Sequence, residues 1–147
     1  MRHIRRAKNS DAHAIQNLYI QLNTLSAPSV SPERIGALEN TDHAHLLVCE
    51  DGDYVIATAL VCFCEDVMFQ QQPFAVVENV VVDKKYLRGG IGRSLMDYIE
   101  DLCLQRNCSK IMLQTSSSNR SARSFYTSIG YDPNGKVGFV KYRRYFQ

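Results

Sequence analysis

Phe74–Val82 is dense in Val, and shortly after it ends the apolar spacing changes from that of a strand to that of a helix. Ile91, Leu95, Ile99, Leu102 and Cys103 fall on one helical face, and Lys110–Thr115 returns to a strand pattern. Strand, helix and strand in this order predict a βαβ unit whose two strands run parallel through a right-handed crossover. A parallel pair requires a long return across the sheet, so a purely helical or purely antiparallel fold is excluded.

The flanking segments extend this unit. His3–Arg6 predicts a short strand, and Asn9-Ser10-Asp11 an N-cap signal for a helix carrying Ala12, Ile15, Leu18, Tyr19 and Leu22, which stops before Ser26–Pro28. Ser31-Pro32-Glu33 opens a second helix running to about Glu39, with proline at its first position. Leu46–Glu50 and Tyr54–Phe63 form an antiparallel hairpin through Asp51-Gly52-Asp53, and Gln70–Pro73 is a loop. Ser121–Ile129 predicts a helix ended by Gly130, and Val137–Tyr142 a final strand. The expected fold is α/β, a mixed central sheet with helices on both faces. A length of 147 residues suits one domain covering 1–147.

Composition narrows the function. The net charge is only +2, from 17 Lys and Arg against 15 Asp and Glu, which argues against a nucleic-acid binder. No apolar run is long enough to span a membrane, and the basic N-terminus lacks the apolar core of a secretory signal. The five cysteines contain no Cys-x-x-Cys pair and no histidine at ligand spacing, so no metal is expected and a reducing cytoplasm is the natural setting.

The segment Asp83–Ser94 carries three of the eight glycines, Gly89, Gly90 and Gly92, where a strand gives way to a helix. Glycine there allows close approach to the backbone, and a helix N-terminus presents unpaired N–H groups suited to phosphate. Lys84, Lys85, Arg88 and Arg93 surround the same point. The string is neither a P-loop nor a dinucleotide fingerprint. A tight strand-to-helix turn with incidental lysines explains the glycines equally well when the loop is taken alone.

The context of that loop resembles the GNAT superfamily of acetyl-CoA-dependent N-acetyltransferases. The resemblance lies in Val76–Val82 leading into Leu87-Arg88-Gly89-Gly90-Ile91-Gly92, in Lys110–Thr115, in Asn119–Tyr126 and in Ile129-Gly130-Tyr131. Ile4–Ala7, Asp11-Ala12 and Ile15–Tyr19 are similar to the family's first strand and helix. One position departs: Leu87 stands where the family carries Gln or Arg.

The resemblance implies acetyl transfer from acetyl-CoA directly to a primary amine. It places the coenzyme on Val80, Val81 and Val82, on Arg88, Gly89, Gly90, Ile91, Gly92 and Arg93, and on Asn119. It implies Glu78 as base or water anchor and Tyr126 as the acid that protonates the leaving thiolate. From the residues themselves, Glu78 in an apolar strand is costly unless it is paired or faces a cleft, so an ion pair is its structural alternative. Packing against Phe125 is the alternative for Tyr126, and a helix N-cap the alternative for Asn119.

The expected acceptor is a small-molecule amine, with no nucleic-acid or membrane partner. Acetylation of a protein N-terminus or lysine, or acyl-CoA sensing without turnover, fit the same motifs. Lys136, Lys141, Arg143 and Arg144 suit either an anionic group on the acceptor or a solvated basic tail, the second being favoured. An exposed last strand offers an edge for homodimer pairing.

Overall fold

The computed structural model describes residues 1–22, 24 and 26–147, in two compact units, 1–113 and 114–147. In the first, five strands form one sheet in the order β1-β2-β3-β4-β5: β1 Arg2–Arg6, β2 Ala44–Asp51, β3 Tyr54–Cys64, β4 Phe74–Val82 and β5 Ile111–Leu113. The first four pair antiparallel, and β4 pairs parallel with β5. This is the mixed sheet that the βαβ pattern and the hairpin predict. Its strand limits shift at the ends, most at β5, which is three residues long.

Period-2 alternation divides the sheet into two buried faces. On one, Leu46 and Val48 of β2 form a core with Ala12 and Ile15 of helix α1 (Ala12–Ile20) and Ile35 of helix α2 (Pro32–Glu39), and Leu60 of β3 packs against it. On the other, Leu47, Ala59, Val61 and Val77 are fully buried. Helix α3 (Ile91–Gln105) packs there on β3 and β4 through Ile91, Leu95, Met96, Ile99 and Cys103. Arg106, just past the end of α3, lies 4.1 Å over the Phe63 ring on that face.

The start of α1 differs from the cap expected at Asn9–Asp11. These residues form a 3₁₀ turn, and the Asp11 carboxylate turns back to accept from Lys8 N–H at 2.8 Å and from both terminal nitrogens of Arg5 at 2.7 and 3.0 Å. Burial pushes the Asp11 pKa up, but the Arg5 bonds and the Lys8 amide outweigh it and hold the group below its ordinary value. A bidentate partner on the neighbouring strand is stronger than a helix cap.

In the second unit, helix α4 (Arg120–Ser128) is followed by residues 129–142 with no regular element and a 3₁₀ turn at Arg143–Tyr145. The strand expected over Val137–Tyr142 is not formed within this unit. The unit offers no second strand to pair with, and Gly138 lies inside the expected run. Among the described residues no helix is long and apolar enough to cross a membrane.

Candidate functional site

Strand β4 changes character halfway along. Up to Val77 it pairs on one side with β3 and on the other with β5, the last parallel pair being Val77 with Leu113. Beyond it the register to β3 slips: Leu60 opposes Glu78 but Thr58 opposes Val81, so Asn79 and Val80 together face Ala59 alone. This is a β-bulge, and Asn79 carries φ +54° within it. Asp83 N–H donates to Ile56 C=O at 2.8 Å. Alternation then turns the Val81 backbone toward β3 and the Val82 and Val80 backbones to the opposite edge. No strand of the described residues pairs with that edge beyond Val77. The bulge thus leaves ladder donors and acceptors of a central strand open to an extended ligand.

The edge leads straight into the glycine loop. After a 3₁₀ turn at Lys84–Tyr86, Arg88 has φ +63° and Gly90, the N-cap of α3, φ +76°, whereas Gly89 between them is negative. Alternating signs of φ make successive N–H groups converge into an anion-binding concavity, here continuous with the free amides of the first turn of α3. The helix ladder begins only with Ser94 N–H, which donates to Gly90 C=O at 3.0 Å. A Cβ on Gly90 would meet nothing within 4 Å, so its face is open. Arg88 and Arg93 are exposed beside it, Arg93 only 3.9 Å from Asp97, and Leu87 points an apolar side chain to solvent.

Two contacts hold this segment from the N-terminal elements. Gln21, capping the end of α1, accepts from Lys84 N–H at 3.0 Å through Oε1. Arg2 of β1 donates through Nη1 to Gly89 C=O at 2.7 Å.

Glu78 is exposed and has no ion-pair partner among the described residues, so the ion pair that would be its structural role is not formed there. It shares its sheet face with Leu60 and so lies on the α1 side. Cys62 is near enough to feel its charge: burial raises the thiol pKa most, with Cys64 and Glu78 adding to it. Tyr19 of α1 lies near the Asn79 side chain, which lowers the phenol's pKa against the larger, raising effect of burial. A carboxylate, a phenol and an unpaired strand edge therefore gather around one bulge.

The other two expected residues lie in the second unit. Asn119 caps α4, its Oδ1 accepting from Ala122 N–H at 3.0 Å, so the N-cap role is realised and its Nδ2 donor is left over. The Tyr126 ring packs 5.1 Å from Phe125 and edge-on to Tyr131 at 5.9 Å. Of the terminal basic residues, Arg144 is stacked on Tyr142 and Tyr145, at 5.2 and 4.9 Å.

A profile of the Acetyltransferase (GNAT) family matches residues 12–131. The chain belongs to the GNAT acetyltransferase family. It is 29% identical over 144 residues, 95% of this chain and 94% of the relative, to the uncharacterized N-acetyltransferase YhfO of Bacillus subtilis (strain 168). Over 58 residues, 40% of this chain and 39% of the relative, it is 33% identical to the ribosomal protein bS18-alanine N-acetyltransferase of Escherichia coli (strain K12). Its fold matches the glucosamine-6-phosphate N-acetyltransferase of Arabidopsis thaliana with a TM-score of 0.82 over 97% of this chain and 99% of that one, at 23% identity.

As a GNAT protein the chain carries the fold of an acyl-transfer enzyme for amine acceptors. Three residues at this site have no signal in the sequence pattern. Arg2 and Gln21 are polar side chains far along the chain from their backbone partners, and Tyr19 counts as one more apolar position on the core stripe of α1.

Proposed function

We propose that the chain, acting as a single N-acetyltransferase domain, transfers acetyl from acetyl-CoA directly to the primary amine of a small molecule. The observation that carries this reading is the bulge in β4, whose freed edge at Val80 and Val82 runs into the amide concavity at Arg88–Arg93. The edge suits the two amides of a pantetheine arm, and the concavity suits a pyrophosphate.

An alkyl amine has a pKa of about 10.4 and is protonated at neutral pH. Glu78, exposed on the α1 face, takes the ammonium proton directly or through water. The freed nitrogen attacks the thioester carbonyl, the C–S bond breaks, and Tyr126 protonates the departing thiolate; the second amine proton, shed as the amide forms, returns through water to the Tyr126 phenolate, leaving the acetamide and free CoA. A phenol is near enough in pKa to an alkylthiol to serve. Transfer is direct: burial raises the Cys62, Cys103 and Cys108 thiols away from the thiolate form an acyl-carrying nucleophile needs.

The test is CoA release measured over a panel of polyamines, amino-sugar phosphates and aminoalkylphosphonates, together with a peptide bearing N-terminal alanine. Turnover of a small amine and not of the peptide supports the proposal. The reverse supports a second reading, acetylation of a protein N-terminus, which the partial match to the bS18-alanine enzyme favours. Binding of acetyl-CoA with no CoA release from any acceptor would overturn both in favour of a sensor.

A further inference from the structure

We propose that Arg2 is a positioning residue for the phosphates of the coenzyme, acting through the Gly89–Gly90 peptide; the inference rests on the acetyl-CoA reading above. A Gly-Gly peptide flips more readily than any other, because neither residue carries a Cβ to bar the alternative φ and ψ. In a trans peptide the C=O and the following N–H point in opposite directions. A flip at this point would exchange the Gly90 N–H of the concavity for the Gly89 carbonyl, and replace attraction for an anion by repulsion.

Arg2 removes that freedom. Its Nη1 donates to Gly89 C=O at 2.7 Å, so the carbonyl is held toward β1 and the Gly90 N–H is turned away from it. The guanidinium is itself held: Arg2 stands opposite Asp51 in the β1–β2 register, with Nε 3.6 Å from the Asp51 carboxylate. The fit around Gly89 is close, since a Cβ there would stand 3.3 Å from Arg2 Nη2 and 3.2 Å from Tyr86 C=O. Arg2 also brings positive charge to the loop from a strand 87 residues away in sequence. The side chain is about half exposed, and its two polar partners among the described residues are the Gly89 carbonyl and the Asp51 carboxylate.

The experiment compares the parent, Arg2→Met and Arg2→Lys in three measurements: calorimetric binding of CoA, kcat and KM for acetyl-CoA, and KM for the phosphate-free thioester S-acetylpantetheine. Arg2→Met is expected to weaken CoA binding and raise the acetyl-CoA KM about tenfold, the loss of one charge-assisted hydrogen bond. kcat moves less than KM, and Arg2→Lys, which keeps a charged donor, recovers most of the loss. The S-acetylpantetheine KM is expected to be the same in all three. Unchanged CoA binding in Arg2→Met, or an equal penalty with S-acetylpantetheine, would overturn the role of Arg2 alone. A parent protein that binds no CoA would overturn the coenzyme reading and this inference with it.

Discussion

The Tyr19 phenol lies near the side chain of Asn79, which holds a left-handed φ of +54° at the bulge of β4. Burial raises the Tyr19 pKa and the neighbouring Asn79 side chain opposes it only in part, so the hydroxyl stays protonated at neutral pH. Helix α1 thereby meets β4 at the point where β4 stops pairing with β5. Gln21, two residues further on, holds the chain at Lys84. The free edge of β4 lies between these two points.

Asn79 is consequently replaceable only by a residue that tolerates positive φ. Asparagine and glycine do so at little cost, whereas a β-branched side chain is strained there by about 1–2 kcal/mol. Asn79→Gly is expected to keep the melting temperature within a few degrees of the parent. Asn79→Val should lower it by about 3–6 °C and weaken acetyl-CoA binding as the bulge relaxes. Thermal melts with and without acetyl-CoA measure both. A valine variant as stable and as tightly binding as the parent would show that the bulge does not depend on this residue.

Gly90 separates backbone strain from ligand contact. At φ +76° any side chain costs about 1–2 kcal/mol, but a Cβ there touches no protein atom. Gly90→Ala should therefore fold, with a slightly lower melting temperature, and Gly90→Val should fold and lose the rise in melting temperature that acetyl-CoA gives the parent. A full rise in the valine variant would place the phosphates elsewhere.

The fold was legible because its strongest signals are local. The Val-rich β4, the apolar stripe of α3 and the Asp51-Gly52-Asp53 turn each follow from neighbours in sequence, and the βαβ rule fixed the parallel pair. The glycine loop was legible for the same reason: its φ values are set by three residues in a row. The bulge was not, since it is a mismatch between β3 and β4 and depends on which residues come to lie opposite each other. The bonding of the Asp11 carboxylate is hidden on similar grounds: Asp11 stands at the N-cap position of α1, but its side chain is taken by Arg5 on β1. Arg2, Tyr19 and Gln21 act only through backbone or side-chain groups that folding brings near.

If Glu78 and Tyr126 are the base and the acid, they respond differently to substitution. Glu78→Gln should lower kcat/KM at neutral pH by about 10²-fold or more and move the rate profile to higher pH, where the amine loses its proton unaided. Tyr126→Phe should lower kcat with acetyl-CoA affinity little changed, because the hydroxyl matters as the thiolate forms. Steady-state kinetics between pH 6 and 10 distinguish the two. Parent-like rates and profiles in both variants would mean that alignment of the reactants alone carries the reaction.

His45 sets how the fold responds to acid. It is 7% exposed, edge-on to Phe63 at 5.3 Å, and its Nε2 lies 3.2 Å from Nη2 of Arg106. Arginine can only donate, so Nε2 accepts and the imidazole is neutral in the folded chain. Burial pulls its pKa down to about 4, the charges of Arg6 and Arg106 act in the same direction, and Asp42 opposes them. In the unfolded chain the group titrates at the ordinary value of 6.5. Between those two values the unfolded state holds a proton that the folded state does not, so stability rises with pH across this window. The contribution is fully present above pH 6.5 and is lost as the pH falls toward 4, to a total of up to about 3 kcal/mol. His45→Gln keeps a carbonyl acceptor for Arg106 and removes the titration. Denaturant midpoints at several pH values between 7 and 4.5 should fall steeply in the parent and more gently in the variant, the two converging at the acid end. Parallel slopes would assign the acid sensitivity of this window to another group.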